Sequence, residues 1–116
     1  MRLRVVVVVL VLLLAGLLSG LLTGCGEPPV VTPELVAAAQ RQWPTATAAQ
    51  LLHGREVLMT KCTVCHGVRQ PADHPPAVWQ GYIEVMSPRA QLDDQQRADL
   101  LRYVLAGNEL AGHQQK

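Results

Sequence analysis

The stretch Cys62-Thr63-Val64-Cys65-His66 holds two cysteines that are separated by two residues and followed directly by a histidine. Two thiols at this spacing can add to the two vinyl groups on one edge of a haem and form two thioether bonds. The adjacent histidine then lies beneath the iron, where an imidazole nitrogen can be the proximal axial ligand. The C-x-x-C-H pattern therefore predicts one covalently attached haem c, bound through Cys62 and Cys65, with His66 as an iron ligand.

Two other kinds of site use closely spaced cysteines, and the rest of the sequence disfavours both. A structural zinc site needs a second Cys/His pair at ligand spacing, and none follows. A thioredoxin-like redox pair belongs to a βαβ pattern, which the neighbouring sequence does not show. Haem attachment is the interpretation that the cysteine spacing favours.

The composition also fits a small domain built around a cofactor. The chain has 116 residues and no Phe, and its aromatic residues are Trp43, Trp79, Tyr82 and Tyr103. Once the apolar amino-terminal segment is set aside, about 60 to 70 residues remain to build a core, which is marginal without a staple such as a haem. Outside the leader, eight Lys/Arg face nine Asp/Glu, and no basic stripe indicates a nucleic-acid partner.

Residues 1–24 have the parts of a bacterial export signal. Arg2 and Arg4 form a charged start, and an apolar run from Val5 to Leu18 precedes small and polar residues. Leu22-Thr23-Gly24-Cys25 resembles the lipobox of bacterial lipoproteins. That resemblance implies cleavage before Cys25 and lipidation of its thiol, which would tether an exported protein to the membrane, facing the periplasm or the outside of the cytoplasmic membrane.

Two alternatives for the leader stay open. The apolar segment from Val5 to Leu22 is just long enough for an uncleaved transmembrane anchor. An ordinary cleaved signal would instead leave Cys25 as a free thiol. In the anchor case the positive start keeps the amino terminus cytoplasmic, so the domain is outside in that case too.

After the leader, residues 25–46 are predicted to form the lipid anchor and a proline-rich, extended tether that lifts the domain off the bilayer. Thr32 is suited to cap a short helix that begins at Pro33 and that Pro44 interrupts. The sequence leaves open whether this helix docks on the domain predicted for residues 47–116.

The helix that leads into the haem motif is predicted to open over Thr45 to Ala49. Gly54, Leu58 and Cys62 recur every four residues and therefore share one face of it. A glycine inside a helix costs about 1 kcal/mol relative to alanine, so Gly54 suggests the close approach of another helix.

A last helix is predicted from its capping residues. Asp93 is suited to the N-cap, and Gln96 stands at the capping-box position. An apolar stripe follows, and Gly107-Asn108 is the predicted end of the helix.

Residues 48–108 resemble the class I c-type cytochromes. In that family a helix carrying Gly, an apolar residue and the first haem Cys at this spacing crosses a carboxy-terminal helix, at an apolar residue and an aromatic three residues later. Leu100 and Tyr103 stand at that spacing, whereas Leu58 departs from the family's usual aromatic. The resemblance implies an all-α fold: a small cytochrome c-like domain of three to four short helices around one covalent haem.

Between His66 and the last helix, the chain is expected to cover the other haem face. Prolines predict a rigid loop, from which a backbone carbonyl is expected to accept the N–H of the proximal histidine. A short helix beginning at Pro76 or Ala77 then carries Trp79, which is expected to form a wall of the haem pocket. Met86 stands at a position similar to that of the family's axial methionine, so the resemblance implies a thioether as distal iron ligand. The alternatives are His74, His113, or an open or water-bound position; His53 is expected to be a solvated helix residue.

The predicted function is one-electron transfer between membrane or periplasmic redox proteins. Iron with both axial positions filled leaves no site for a substrate, so no enzymatic activity is expected. One alternative is a ligand-binding or sensory haem with an open sixth position. Another is a haem subunit that relays electrons within a larger oxidoreductase.

Overall fold

The computed structural model describes residues 1–19 and 26–114, and it is helical throughout apart from connecting segments. The α-helices, in chain order, are α1 (Arg2–Ser19), α2 (Pro33–Gln42), α3 (Ala48–Thr60), α4 (Pro76–Arg89) and α5 (Asp94–Gln114). Two single-turn 3₁₀ helices, here called the motif turn (Cys62–Val64) and the Pro71 turn (Pro71–Asp73), lie between α3 and α4. The described residues contain no strand, so the predicted all-α class is confirmed.

The leader is described only in part. Its apolar run lies in α1, where the side chains from Val5 to Leu13 are all about half exposed or more. Among the described residues, no helix has both the length and the apolar character needed to cross a membrane. The lipobox-like Leu22-Thr23-Gly24-Cys25 lies outside the described residues, so lipidation of Cys25 stays a prediction.

The predicted close approach at Gly54 is confirmed, and it forms the centre of the fold. A Cβ atom built on Gly54 would lie 2.1 Å from the backbone oxygen of Asp99 and 2.9 Å from the Cβ of Tyr103, both on α5. Leu58, Leu100 and Tyr103 are buried beside this crossing. Only a residue without a side chain allows the two backbones to come this close.

The helix starts follow local capping rules. The Asp93 carboxylate accepts from the Gln96 backbone N–H at 2.8 Å, and the Gln96 side chain accepts from the Asp93 N–H at 3.1 Å, which confirms the predicted capping box. Thr47 and Gln50 form an equivalent box at the start of α3. Thr32 caps α2, with its hydroxyl accepting from the Leu35 N–H.

The predicted end of the last helix is wrong, because α5 continues through Gly107-Asn108 to Gln114. Gly107 instead gives room to Pro71, whose side-chain carbons would lie 2.9 Å from a Cβ at that position. The Asn108 amide donates to the backbone oxygens of Pro71 at 2.8 Å and His74 at 2.7 Å. Both residues therefore serve tertiary contacts rather than a helix cap.

Helix α2 docks on the domain by packing against α5, a point that the sequence left open. Leu35, Ala38 and Ala39 are buried, and Arg41 donates from Nε to the Glu109 carboxylate at 2.6 Å. The segment before α2, residues 26–31, has no regular secondary structure, as predicted. We call it the strap, because Pro28 within it is buried against the domain.

Candidate functional site

The motif turn places the two motif cysteines on one side of the chain. It follows the end of α3 directly, where the Lys61 N–H donates to the Val57 oxygen at 2.9 Å. Side chains three residues apart eclipse one another in a 3₁₀ turn, so Cys62 and Cys65 lie on the same side. Neither is in a disulfide; Cys62 is half-buried against the core and Cys65 is exposed. Burial raises the pKa of the Cys62 thiol, which is therefore protonated at neutral pH.

His66 presents one ring nitrogen that is free to bind a metal. The ring is exposed, and its Nδ1 lies 2.9 Å from the backbone oxygen of Gly67. A carbonyl oxygen only accepts hydrogen bonds, so Nδ1 carries the proton and Nε2 keeps its lone pair. The carbonyl that His66 contacts is therefore that of the adjacent Gly67 and not, as the sequence predicted, one from the proline loop; the Pro71 carbonyl accepts from Trp79 and Asn108 instead.

A gap separates the motif from α4. Helices α3 and α4 both pack on α5, yet no Cα atom of α4 lies within 8 Å of a Cα atom of α3 or of the motif turn. An open cleft of about 430 Å³ lies beside the motif. Its lining residues are Gly26, Glu27, Met59, Gly67, Val68 and Gln70.

Helix α4 has a buried face and a second, exposed face that is apolar. Trp79, Ile83 and Ser87 form the buried face. A second set, Val78, Tyr82, Val85 and Met86, follows helical spacing and is between 37% and 55% exposed; we call it the exposed α4 stripe. Large apolar side chains in a continuous stripe normally have a partner. His74 packs edge-on against Tyr82, yet all four side chains of the stripe remain more than a third exposed.

The predicted distal ligand, Met86, lies on the exposed α4 stripe and is 39% exposed. The structure does not bring the backbone of α4 close to the motif turn, so ligation by Met86 stays a prediction. Of its rivals, His74 packs edge-on against Trp79 and Tyr82, with ring centroids 5.6 and 5.1 Å apart. His113 lies on the exposed end of α5, 3.7 Å from the Glu109 carboxylate.

Trp79 is a core residue. It is 5% exposed, and its indole N–H donates to the Pro71 oxygen at 2.9 Å. This bond joins the start of α4 to the Pro71 turn. Its role as a pocket wall stays a prediction, while its role in positioning α4 follows from the contact itself.

Sequence reasoning missed a polar cluster at the α3–α5 crossing. Asp99 is 2% exposed, and its carboxylate accepts from Gln95 at 2.7 Å and Arg102 at 2.8 Å and lies 2.9 Å from Nδ1 of His53. Burial alone would raise the pKa of Asp99, but its hydrogen bonds with His53 and Gln95 and the charge of Arg102 outweigh burial and lower it. His53 is therefore half-buried and bonded rather than fully solvated as expected. The available signal in the sequence was Asp99 itself, an acid directly before the apolar residues of α5.

Within the described residues, no three His, Cys, Asp or Glu side chains converge on a point where a metal ion could bind. A haem iron needs no such cluster, because the porphyrin supplies four nitrogen donors and the protein only the axial ligands.

Comparison with known proteins adds no relative. No protein-family model, curated protein or solved structure matches the chain. The function is therefore argued from the residues and geometry of this site.

Proposed function

We propose that the chain carries electrons through one haem c, attached to Cys62 and Cys65 and ligated by His66, in a domain tethered to the membrane outside the cytoplasm. The observation that carries the proposal is the arrangement of residues 62–66, which begins with the motif turn. These residues present two unpaired thiols on one side of the chain and an imidazole whose Nε2 is free. Those are the three groups that covalent haem attachment requires.

The distribution of exposed apolar residues supports the same conclusion. Eight large apolar side chains are exposed within residues 26–114, and six of them lie between Val64 and Met86. This is the part of the chain that begins at the motif and ends on α4. An apolar cofactor held at the motif would cover part of this surface and so stabilise a domain whose own core is small.

Each residue of the proposed site has its own role. Cys62 and Cys65 hold the group, and His66 ligates through Nε2 while the Gly67 carbonyl fixes the orientation of its ring. Met86 is the proposed distal ligand, because its thioether is soft and uncharged and favours the reduced metal. When bound, the haem supplies a one-electron ferric/ferrous couple. Redox proteins are the proposed donor and acceptor, either as free partners or as subunits of a larger oxidoreductase.

Covalent attachment is tested by denaturing the protein and extracting it with acidified acetone. We expect the haem absorbance to stay with the polypeptide, and to be lost in the doubly substituted Cys62→Ser/Cys65→Ser protein. Cys25→Ser is the matched control, because it removes the third cysteine of the chain and should keep the haem. Haem that extracts from the wild type would refute the assignment.

Whether the sixth coordination position of the iron is filled distinguishes an electron-transfer function from a ligand-binding function. Wild-type ferrous protein should take up carbon monoxide slowly or not at all, whereas Met86→Ala should bind it readily and have a lower reduction potential. Met59→Ala is the control, since Met59 lies on α3 and only lines the cleft beside the motif. If wild-type protein binds carbon monoxide at once and Met86→Ala changes nothing, the ligand-binding or sensory function replaces electron transfer.

A further inference from the structure

The strap is held on the domain by side chains from two helices. Arg55 of α3 donates to the backbone oxygens of Pro28 at 3.2 Å and Pro29 at 3.1 Å, and to the Glu27 carboxylate at 2.8 Å. The Tyr103 hydroxyl of α5 donates to the Pro29 oxygen at 2.6 Å. Arg55 and Tyr103 therefore bind two successive carbonyls of the strap, which is part of the packed domain rather than a free tether.

The first residue of the strap lies beside the haem motif. The Gln70 amide donates to the backbone oxygen of Gly26. Gly26 and Glu27 line the same cleft as Gly67 and Val68, which follow His66 directly in the chain. The chain therefore enters the domain at the motif.

This entry point determines how far the domain can stand from a lipid on Cys25. Residues 26 to 32, if free and extended, would provide a reach of roughly 25 Å. With the strap docked, that reach is lost, because Cys25 directly precedes Gly26 in the chain. A lipid attached at Cys25 would thus bring the cleft and the motif to the membrane surface.

The loop at this point has the chemistry of a membrane-contact surface. Val64 is 78% exposed and Val68 is 39% exposed, so two apolar side chains are available to the interfacial layer. Lys61 and Arg69 are exposed at either end of the loop, and residues 61–69 include no acidic residue. Cations near a membrane surface are attracted to anionic headgroups.

We propose that the loop of residues 61–69 is a bilayer-contact surface, which the docked strap holds against anionic phospholipid headgroups. This inference rests on the proposed function, in particular on the lipid at Cys25. Its consequence is that the attached haem lies at the membrane surface, and its redox partner is one that reaches it there. The strap orients the domain instead of lifting it away.

The test compares two introduced thiols in the full lipidated protein, reconstituted in vesicles of phosphatidylethanolamine and phosphatidylglycerol. Val68→Cys places a thiol in the loop, and Ala49→Cys places the control at the exposed start of α3, about 15 Å along the helix axis from Met59. Each rate of reaction with a maleimide on a bulky, water-soluble carrier is divided by the rate for the same thiol in unlipidated protein carrying Cys25→Ser.

We expect the Val68→Cys ratio to be lower than the Ala49→Cys ratio by roughly tenfold, because a bulky carrier is excluded from the headgroup layer. Adding Arg55→Gln and Tyr103→Phe, which release the strap, should bring the two ratios within about twofold of each other, as a flexible tether predicts. Equal ratios in the protein with an intact strap would overturn the proposal.

A second measurement needs no introduced thiol. Lys61 is one of two lysines in the chain, and its acylation by a membrane-impermeant reagent can be measured by mass spectrometry. Lys61 should be protected in vesicles and become reactive when Arg55→Gln and Tyr103→Phe release the strap; equal reactivity in both would overturn the proposal. An unlipidated Cys25 in the wild type would overturn it too, whereas extractable haem would refute the proposed function and leave the pattern of Lys61 acylation unchanged.

Discussion

Replacing Gly54 by alanine tests the helix crossing on which the domain depends. The added Cβ would lie 2.1 Å from the Asp99 oxygen, where ordinary contact begins at 3.4 Å, so α5 must move by about 1.3 Å. Overpacking costs about 1–3 kcal/mol, and the cost is high here because the obstacle is backbone. Alanine's better helix propensity offsets about 1 kcal/mol of this. We expect a net loss of roughly 2 kcal/mol in the free energy of unfolding.

The assay is urea unfolding followed by far-ultraviolet circular dichroism, in which this loss lowers the midpoint by roughly 1–2 M. Gly81→Ala is the matched control: Gly81 lies inside α4, and a Cβ there meets no atom within 4 Å. It gains the same helix propensity without the contact and should be stabilised by up to about 1 kcal/mol. If Gly54→Ala is as stable as Gly81→Ala, the two helices do not approach each other as described.

Two further predictions follow from buried ionisable groups. The pKa of Asp99 is lowered in the folded state, so its stabilising contribution is present above about pH 4 and is lost as the pH falls through the folded pKa. Asp99→Asn should therefore lower stability by about 2 kcal/mol at neutral pH and flatten the acid limb of a stability–pH curve; an unchanged acid limb would contradict this. Burial raises the pKa of Tyr103 to about 12, so the unfolded phenol ionises first and wild-type stability is lost as the pH rises from 10 toward 12. Tyr103→Phe should lack that alkaline loss while costing about 1 kcal/mol at neutral pH, and a steep alkaline loss in the variant would place the titrating group elsewhere.

The features that the sequence alone determined are those whose partners lie within a few residues. The capping box of Asp93 and Gln96 joins groups three positions apart, so residue type and spacing suffice to predict it. The prediction of haem attachment is local in the same sense, since it depends only on the residues from Cys62 to His66. Gly54 was informative for a related reason. Glycine inside a helix lowers the stability of the helix relative to alanine, so its presence there suggested a close contact that compensates for this loss.

Only the tertiary structure showed the roles of residues whose contact partners lie far away in the chain. Gly107-Asn108 has the composition of a helix end, but Asn108 donates to Pro71, 37 residues earlier, and the helix continues. The strap likewise has the composition of a free tether, and only Arg55 and Tyr103, 26 and 74 residues from Pro29, hold it on the domain. Local propensity is weak, and contacts formed by folding override it. Where the chain enters the domain is therefore a property of the packed helices.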